Sequence, residues 1–262
     1  MKRKNKCGKI IAFLILALSI CAMTVCGYKL WETHRVYQIG KESYSDLADR
    51  VRPAESSGES KSQPERSPDV DIPDMNLDYE ALQEVNNNAA AWLYCPDTVI
   101  DYPVMKATDY DYYLHHLPDG TYNANGTLFI DYNNAPDFSD KLTVIYGHHM
   151  RSGKMFGSLK GYKGQAYFNE HPYMYLYTEK GNYRIDLMYG CVIGEGQWRV
   201  QAFMFDANLD TLLTYAAQNT TFTSGVQYTE NDRIVALSTC SYEFDNARYV
   251  VIGVLRPEYG AD

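Results

Sequence analysis

Cysteine is scarce in this 262-residue chain. There are six, and Cys7, Cys21 and Cys26 fall within the first 27 positions. Only Cys95, Cys191 and Cys240 lie beyond, and three thiols cannot all pair with one another, so at least one is free or bonded to another molecule. No C-x-x-C spacing occurs, which disfavours zinc-site and thioredoxin-type chemistry. Positive charge is also short. The formal net charge is −9, and five of the 24 basic residues (Lys2, Arg3, Lys4, Lys6 and Lys9) crowd into the first nine positions. Setting those five aside leaves 19 basic against 33 acidic side chains. Such a surface repels a phosphate backbone, so nucleic acid is not an expected partner. No internal repeat and no cofactor-binding motif is evident.

One long apolar run stands out. It extends from Ile10 to Gly27, "IIAFLILALSICAMTVCG", carries no charge and is about long enough to span a bilayer. The basic flank sets the N-terminus on the cytoplasmic side. The rival reading is a cleaved signal peptide, whose apolar core is usually only ~7–15 residues and ends in an A-x-A site, absent here. The "MTV" before Cys26 lacks the small residue of a lipoprotein site, so Cys21 and Cys26 read as apolar filler. Residues 28–50 read as a polar helix leaving the membrane. Residues 51–74 are rich in Ser, Pro and charge, a linker composition. The expected organisation is a cytoplasmic tail and transmembrane signal anchor (1–27), a helical stalk and polar linker (28–74) and a globular domain (75–262). A single-pass cell-membrane protein with that domain outside follows.

The segment "LDYEALQEVNNNAAAWL" (77–93) reads as a helix with Leu77, Ala81, Leu82 and Val85 on one face. Seven short apolar runs follow: "TVIDYPVM", "GTLFIDY", "LTVIYGH", "MYLYT", "YRIDLMYGCVI", "RIVALSTC" and "RYVVIGVL". Turn signals such as "PDG", "ANG" and "EKGN" separate some of them, a pattern that favours a barrel or sandwich. The stretch "ANLDTLLTYAAQ" interrupts them as a helix, with Leu209, Leu212, Leu213 and Ala216 on one face. Tyr162, Tyr167, Tyr173, Tyr175 and Tyr177 are read most simply as strand and surface aromatics.

The chemistry concentrates in "ALSTCSYEFDNARYVVIGVL", Ala236 to Leu255. Two alternating apolar runs flank a seven-residue joint, "SYEFDNA". An antiparallel hairpin closed by that loop puts Cys240 opposite Arg248, with Cβ atoms ~4.5–5.5 Å apart. A thiol beside a permanent cation is biased toward thiolate, and an oxyanion formed nearby is stabilised. A cysteine nucleophile also needs a proton partner. Of the six histidines, His34 lies in the stalk, His115 and His116 in a polar loop, and His171 before a proline. His148 and His149 end the run "LTVIYG", where a strand leaves the core, and His148 is the chosen partner. The bland alternatives are a small buried cysteine, a turn histidine and a solvated arginine. Spacing alone does not bring His148 to Cys240.

The order of "AWLYCPDTVIDYPV", "YYLHH", "GTLFIDY", "LTVIYGHHMRSGKMFGSLKGY" and "LSTCSYEFDNARYVVIGVL" resembles the sortases, in their class B branch, over most of residues 75–256. The resemblance implies a mostly β fold with added helices: a sortase-type eight-stranded β-barrel with N-terminal helices and a helix before the cysteine strand. It implies a membrane-anchored cysteine transpeptidase of Gram-positive bacteria that needs no cofactor or metal. By position, Cys240 is its nucleophile, His148 its general acid and base, and Arg248 the support for substrate and oxyanion. Leu114, Tyr146 and Ser238 match positions lining the peptide groove, and the backbone N–H of Ser241 matches a second oxyanion donor. Many relatives carry asparagine where this chain has Tyr110. The implied partners are a secreted protein with a C-terminal sorting signal, cleaved after Thr, and an amine of the cell-wall precursor. A pilin lysine as acceptor, a hydrolytic cysteine peptidase and a non-catalytic wall-binding scaffold are the alternatives.

Overall fold

The computed structural model describes residues 4–52, 72–198 and 205–258. Helix α1 (Lys4–Val51) contains the apolar run, whose side chains are exposed and whose best 18-residue window has a mean hydropathy of 2.6. It is long and apolar enough to cross a membrane. The chain divides into two compact units, Met1–Ser43 and Tyr44–Asp262. The second unit therefore starts well before Met75. Tyr44 donates a hydrogen bond to the Gly126 carbonyl, and Leu47, Val51 and Ile72 are buried in one cluster with Leu82, Trp92, Met105 and Phe129. Among the described residues of 51–74, Val51 and Ile72 make the contact, which the polar composition of the segment hides.

Eight strands close into a barrel in the order β1-β2-β3-β4-β7-β8-β6-β5. They are β1 (Ala89–Tyr94), β2 (Asp101–Lys106), β3 (Leu128–Ile130), β4 (Leu142–Tyr146), β5 (Tyr173–Thr178), β6 (Gly181–Gly194), β7 (Arg233–Cys240) and β8 (Ala247–Pro257). The barrel closes where β1 pairs with β5. Two neighbouring pairs, β2 with β3 and β4 with β7, run parallel, and the rest are antiparallel.

Helix α2 spans only Tyr79–Val85, shorter than the helix expected over 77–93. Asp78 caps it by accepting from Ala81 N–H at 2.9 Å. Asn86 stops it in an extended conformation and turns its amide to the Pro118 carbonyl at 2.8 Å. The alanines that follow are helix formers, yet Ala89–Tyr94 forms β1, with Trp92 and Leu93 fully buried between β2 and β5. Tertiary burial overrides local propensity there.

Helix α3 is Gln165–Glu170, and α4, Phe205–Asn219, is the helix expected before the cysteine strand. Leu212, Leu213 and Ala216 of α4 are buried against β6, β7 and β8 residues Cys191, Ile234 and Val250. Of the tyrosines read as strand and surface aromatics, Tyr162, Tyr175 and Tyr177 are buried. The Tyr162 hydroxyl reaches the core because it can donate to the His171 carbonyl at 2.9 Å.

Candidate active site

The β7–β8 hairpin pairs Cys240 directly with Arg248. The loop between them turns through Asn246, whose φ of 59° is one that asparagine tolerates. The Arg248 guanidinium donates from Nη1 to Cys240 Sγ at 3.3 Å, while Nη2 lies 3.4 Å from Glu195 Oε1. The cation is thus held from two sides, between the thiol and a carboxylate that follows β6.

His148 arrives from a different strand. Strands β4 and β7 are parallel and in register, with Tyr146 level with Ser238. His148, just past the end of β4, and Cys240, the last residue of β7, each follow two residues later, so the same register carries both to one end of the sheet. The strand ends are stitched together: Gly147 N–H donates to the Ser238 carbonyl at 3.2 Å, and Thr239 Oγ1 donates to the Gly147 carbonyl at 2.8 Å. Gly147 is required at this crossing. A Cβ there would lie 2.4 Å from Leu128 Cδ2 and 2.7 Å from Phe156 Cδ2.

His148 Nε2 lies 2.7 Å from the Leu114 carbonyl oxygen. A carbonyl only accepts, so Nε2 carries the proton and Nδ1 is left as the acceptor. Burial pulls the His148 pKa below the ordinary imidazole value. The Leu114 carbonyl opposes that shift, and His115, its ring centroid 6.2 Å away, adds to it. The imidazole is therefore biased to its neutral, proton-accepting form.

One pocket is lined by His148, Cys240 and Arg248 together with Leu114, Tyr146 and Ser238. Phe129, Trp198 and Tyr110 complete its apolar wall, and Glu195 its polar rim. A thiol, a proton-accepting imidazole and a guanidinium at one pocket mouth form a set suited to acyl transfer through a thioester.

A sortase domain model matches residues 93–256, more than half of the chain. The chain belongs to the sortase family. Sortase B of Listeria monocytogenes is 33% identical over 177 residues, which cover 66% of this chain and 72% of that protein. The crystal structure of sortase B from Bacillus anthracis aligns with a TM-score of 0.70 at 25% identity, covering 86% of this chain and 99% of that one. A class B sortase of Streptococcus pyogenes involved in pilus biogenesis aligns with a TM-score of 0.62 at 27% identity, covering 68% and 97%. This sortase is accordingly of the class B type and a cysteine transpeptidase, with the eight-stranded barrel its sequence resemblance implies.

Six of the seven expected site residues of this sortase line the pocket, and Ser241 does not. Its N–H, expected as an oxyanion donor, is spent on the Ala247 carbonyl at 2.8 Å, closing the hairpin loop. Its hydroxyl donates to Glu243, which is ion-paired with Lys163. Ser241 thus braces the loop. Burial raises the Glu243 pKa, but Lys163 and Ser241 outweigh it and bring the value down to about 2.

The other histidines of the catalytic unit do other work. His149 Nδ1 donates to the Cys240 carbonyl at 2.7 Å, and His116 stacks on Tyr112 with centroids 4.0 Å apart. Glu195 and Trp198 were not anticipated. They come from the segment after β6, far in sequence from Cys240, and carry no motif that marks them.

Proposed function

We propose that Cys240, His148 and Arg248 cleave a C-terminal sorting signal after Thr and transfer the new C-terminus to an amine of the cell-wall precursor. The guanidinium donating to Cys240 Sγ at the mouth of a pocket that also holds His148 carries this reading. As the Cys240 sulfur attacks the Thr carbonyl carbon its S–H proton passes to His148, and the carbonyl electrons move onto oxygen, where Arg248 can donate to them. Collapse re-forms the carbonyl and breaks the peptide bond. His148 gives the departing amine a proton, leaving a thioester on Cys240. An incoming amine attacks that thioester, His148 takes its proton, and the cysteine sulfur leaves. The apolar helix α1 supports placing the enzyme at the outer membrane face, where secreted signals and wall precursors occur.

The acceptor has a second reading, because the similar S. pyogenes class B sortase is involved in pilus biogenesis. There the resolving amine would be a pilin lysine. The test is incubation of the full-length protein in detergent with a library of sorting peptides, followed by mass spectrometry. A Cys240-linked acyl adduct, and its transfer to an added peptidoglycan-type amine, is the expected result. An adduct resolved only by water would favour the peptidase alternative, and one resolved only by a lysine side chain the pilus alternative. No adduct with any peptide would overturn the sorting-signal reading.

A further inference from the structure

We infer that Glu195 is a positioning residue of the acyl transfer: its carboxylate holds the Arg248 guanidinium by Nη2, so that Nη1 stays aimed at Cys240 Sγ and at the oxyanion formed beside it. The inference rests on the roles proposed above for Cys240 and Arg248.

Arg248 lies on the middle strand of three. It pairs with Cys240 on β7 and with Ile193 on β6. Directly paired residues project from one face of a sheet, as do residues two apart along a strand. Glu195 follows Ile193 by two, just past the end of β6. That register brings the carboxylate to the face that carries the guanidinium and the thiol, and Glu195, Cys240 and Arg248 all line the pocket.

The backbone that carries Glu195 is fixed on both sides. Its N–H donates to the Asn246 carbonyl at 2.9 Å, within the loop that closes the β7–β8 hairpin. The chain then turns helical over residues 195–198, and Trp198 is buried in the cluster that holds Ile193, Leu212 and Val250. Glu195 is thus tied to the same loop that separates Cys240 from Arg248.

A guanidinium on a long side chain needs such an anchor, because its head otherwise samples many positions. Nη1 donates to Cys240 Sγ at 3.3 Å and lies 3.4 Å from the Ala247 carbonyl oxygen, and Nη2 lies 3.4 Å from Glu195 Oε1. The sulfur is the atom that reacts, so it cannot serve as the fixed point. Glu195 supplies the ionic contact, and it grips the nitrogen that does not face the sulfur. When charge moves onto the substrate carbonyl oxygen, a donor already in place needs no reorganisation. Both side chains of the pair are mostly shielded from water. Glu195 interacts with a further group as well, and the role needs only its contact with Nη2.

The test uses the full-length protein in detergent micelles. Single-turnover formation of the Cys240 acyl adduct is followed by mass spectrometry over a range of sorting-peptide concentrations. Glu195→Ala should lower the maximal rate about tenfold, a part of the about 10²–10³ that an oriented donor is worth, with the half-saturating peptide concentration changed less than about twofold. Glu195→Gln keeps an oxygen for Nη2 without the charge and should fall between Ala and wild type. In an Arg248→Ala background, Glu195→Ala should change the rate by less than about twofold, because no guanidinium remains to be held. A residue that only braces the fold costs the same factor in both backgrounds, and that result overturns the inference. So does a folded Glu195→Ala enzyme with the wild-type rate, or one changed only in half-saturating concentration. If Glu195→Ala does not fold by circular dichroism, Glu195→Gln in the two backgrounds decides in the same way. If Arg248→Ala is too slow to time, the order decides: a rate for Gln between those of Ala and wild type supports the inference, and equal losses overturn it. A wild type that forms no adduct with any peptide overturns the acyl-transfer reading and this inference with it.

Discussion

Replacing Arg248 by lysine tests whether the guanidinium acts by shape or by charge. In the structure its nitrogens span two partners at once, Cys240 Sγ at 3.3 Å and Glu195 at 3.4 Å. A planar fork can hold Glu195 with one arm and aim the other at the sulfur and the oxyanion beside it. An ammonium is a compact point charge on a flexible stem and keeps only one of these contacts well. The charge itself survives the substitution. At ~4 Å and an effective dielectric of ~20, its attraction for a thiolate is about 4 kcal/mol, and lysine retains most of that. The pair with Glu195 is partly exposed, with side chains 23% and 26% accessible, so its direct contribution to stability is at most ~1 kcal/mol. Loss of one oriented oxyanion donor, by contrast, costs about 10²–10³ in kcat, or ~2.7–4 kcal/mol. The expected outcome for Arg248→Lys is therefore a drop of about that size in kcat/KM for peptide cleavage. The melting temperature should stay close to wild type, checked by circular dichroism. A folded Arg248→Lys enzyme with kcat/KM within about threefold of wild type would refute the oriented-donor role and leave a charge effect alone.

Other outcomes follow from the same geometry. The depressed His148 pKa puts the acid limb of the pH–kcat/KM profile below the usual imidazole value of ~6.5, and His115→Gln, which removes one depressing neighbour, should move that limb upward; an unmoved limb counts against the contact. Because unfolded His148 binds a proton that the folded form resists, stability should fall as pH drops below ~6.5, and His148→Gln should lessen that fall in urea titrations at pH 5 and 7. His149→Ala should retain most turnover, since its ring serves the Cys240 carbonyl, whereas His148→Ala and Cys240→Ala should abolish it in the peptide assay. Cys191 is buried among apolar side chains, with its pKa pushed up to about 12, so Cys191→Ala should leave peptide cleavage largely intact and cost a few kcal/mol or less of stability by chemical denaturation. A fragment starting at residue 75 loses the buried side chains of Leu47, Val51 and Ile72, each worth ~1.5–3 kcal/mol, and should melt well below one starting at residue 44; equal melting temperatures would show that this packing contributes nothing.

Hydrogen-bonded neighbours along the chain were legible in the sequence, and neighbours across the barrel were not. Two alternating runs and a seven-residue loop fix the Cys240–Arg248 pair, because an antiparallel hairpin has a register set by its own length. The uncharged run after a basic N-terminus marks the apolar helix by composition alone. A strand end singled out His148 and the resemblance gave it its role, while the eight-strand closure came from the resemblance alone. Ala89–Tyr94 misled because alanine favours helix and only burial between β2 and β5 makes it a strand. Ser241 misled because its N–H is claimed by the loop that its neighbours build. The parallel pairing of β4 with β7 joins segments some ninety residues apart and carries His148 and Cys240 to the same end of the sheet, where both line one pocket. The pairing of Glu195 with Arg248 likewise exists only once the barrel closes. Spacing along one chain encodes local register; a carboxylate's choice of partner depends on which strands the closed sheet sets side by side.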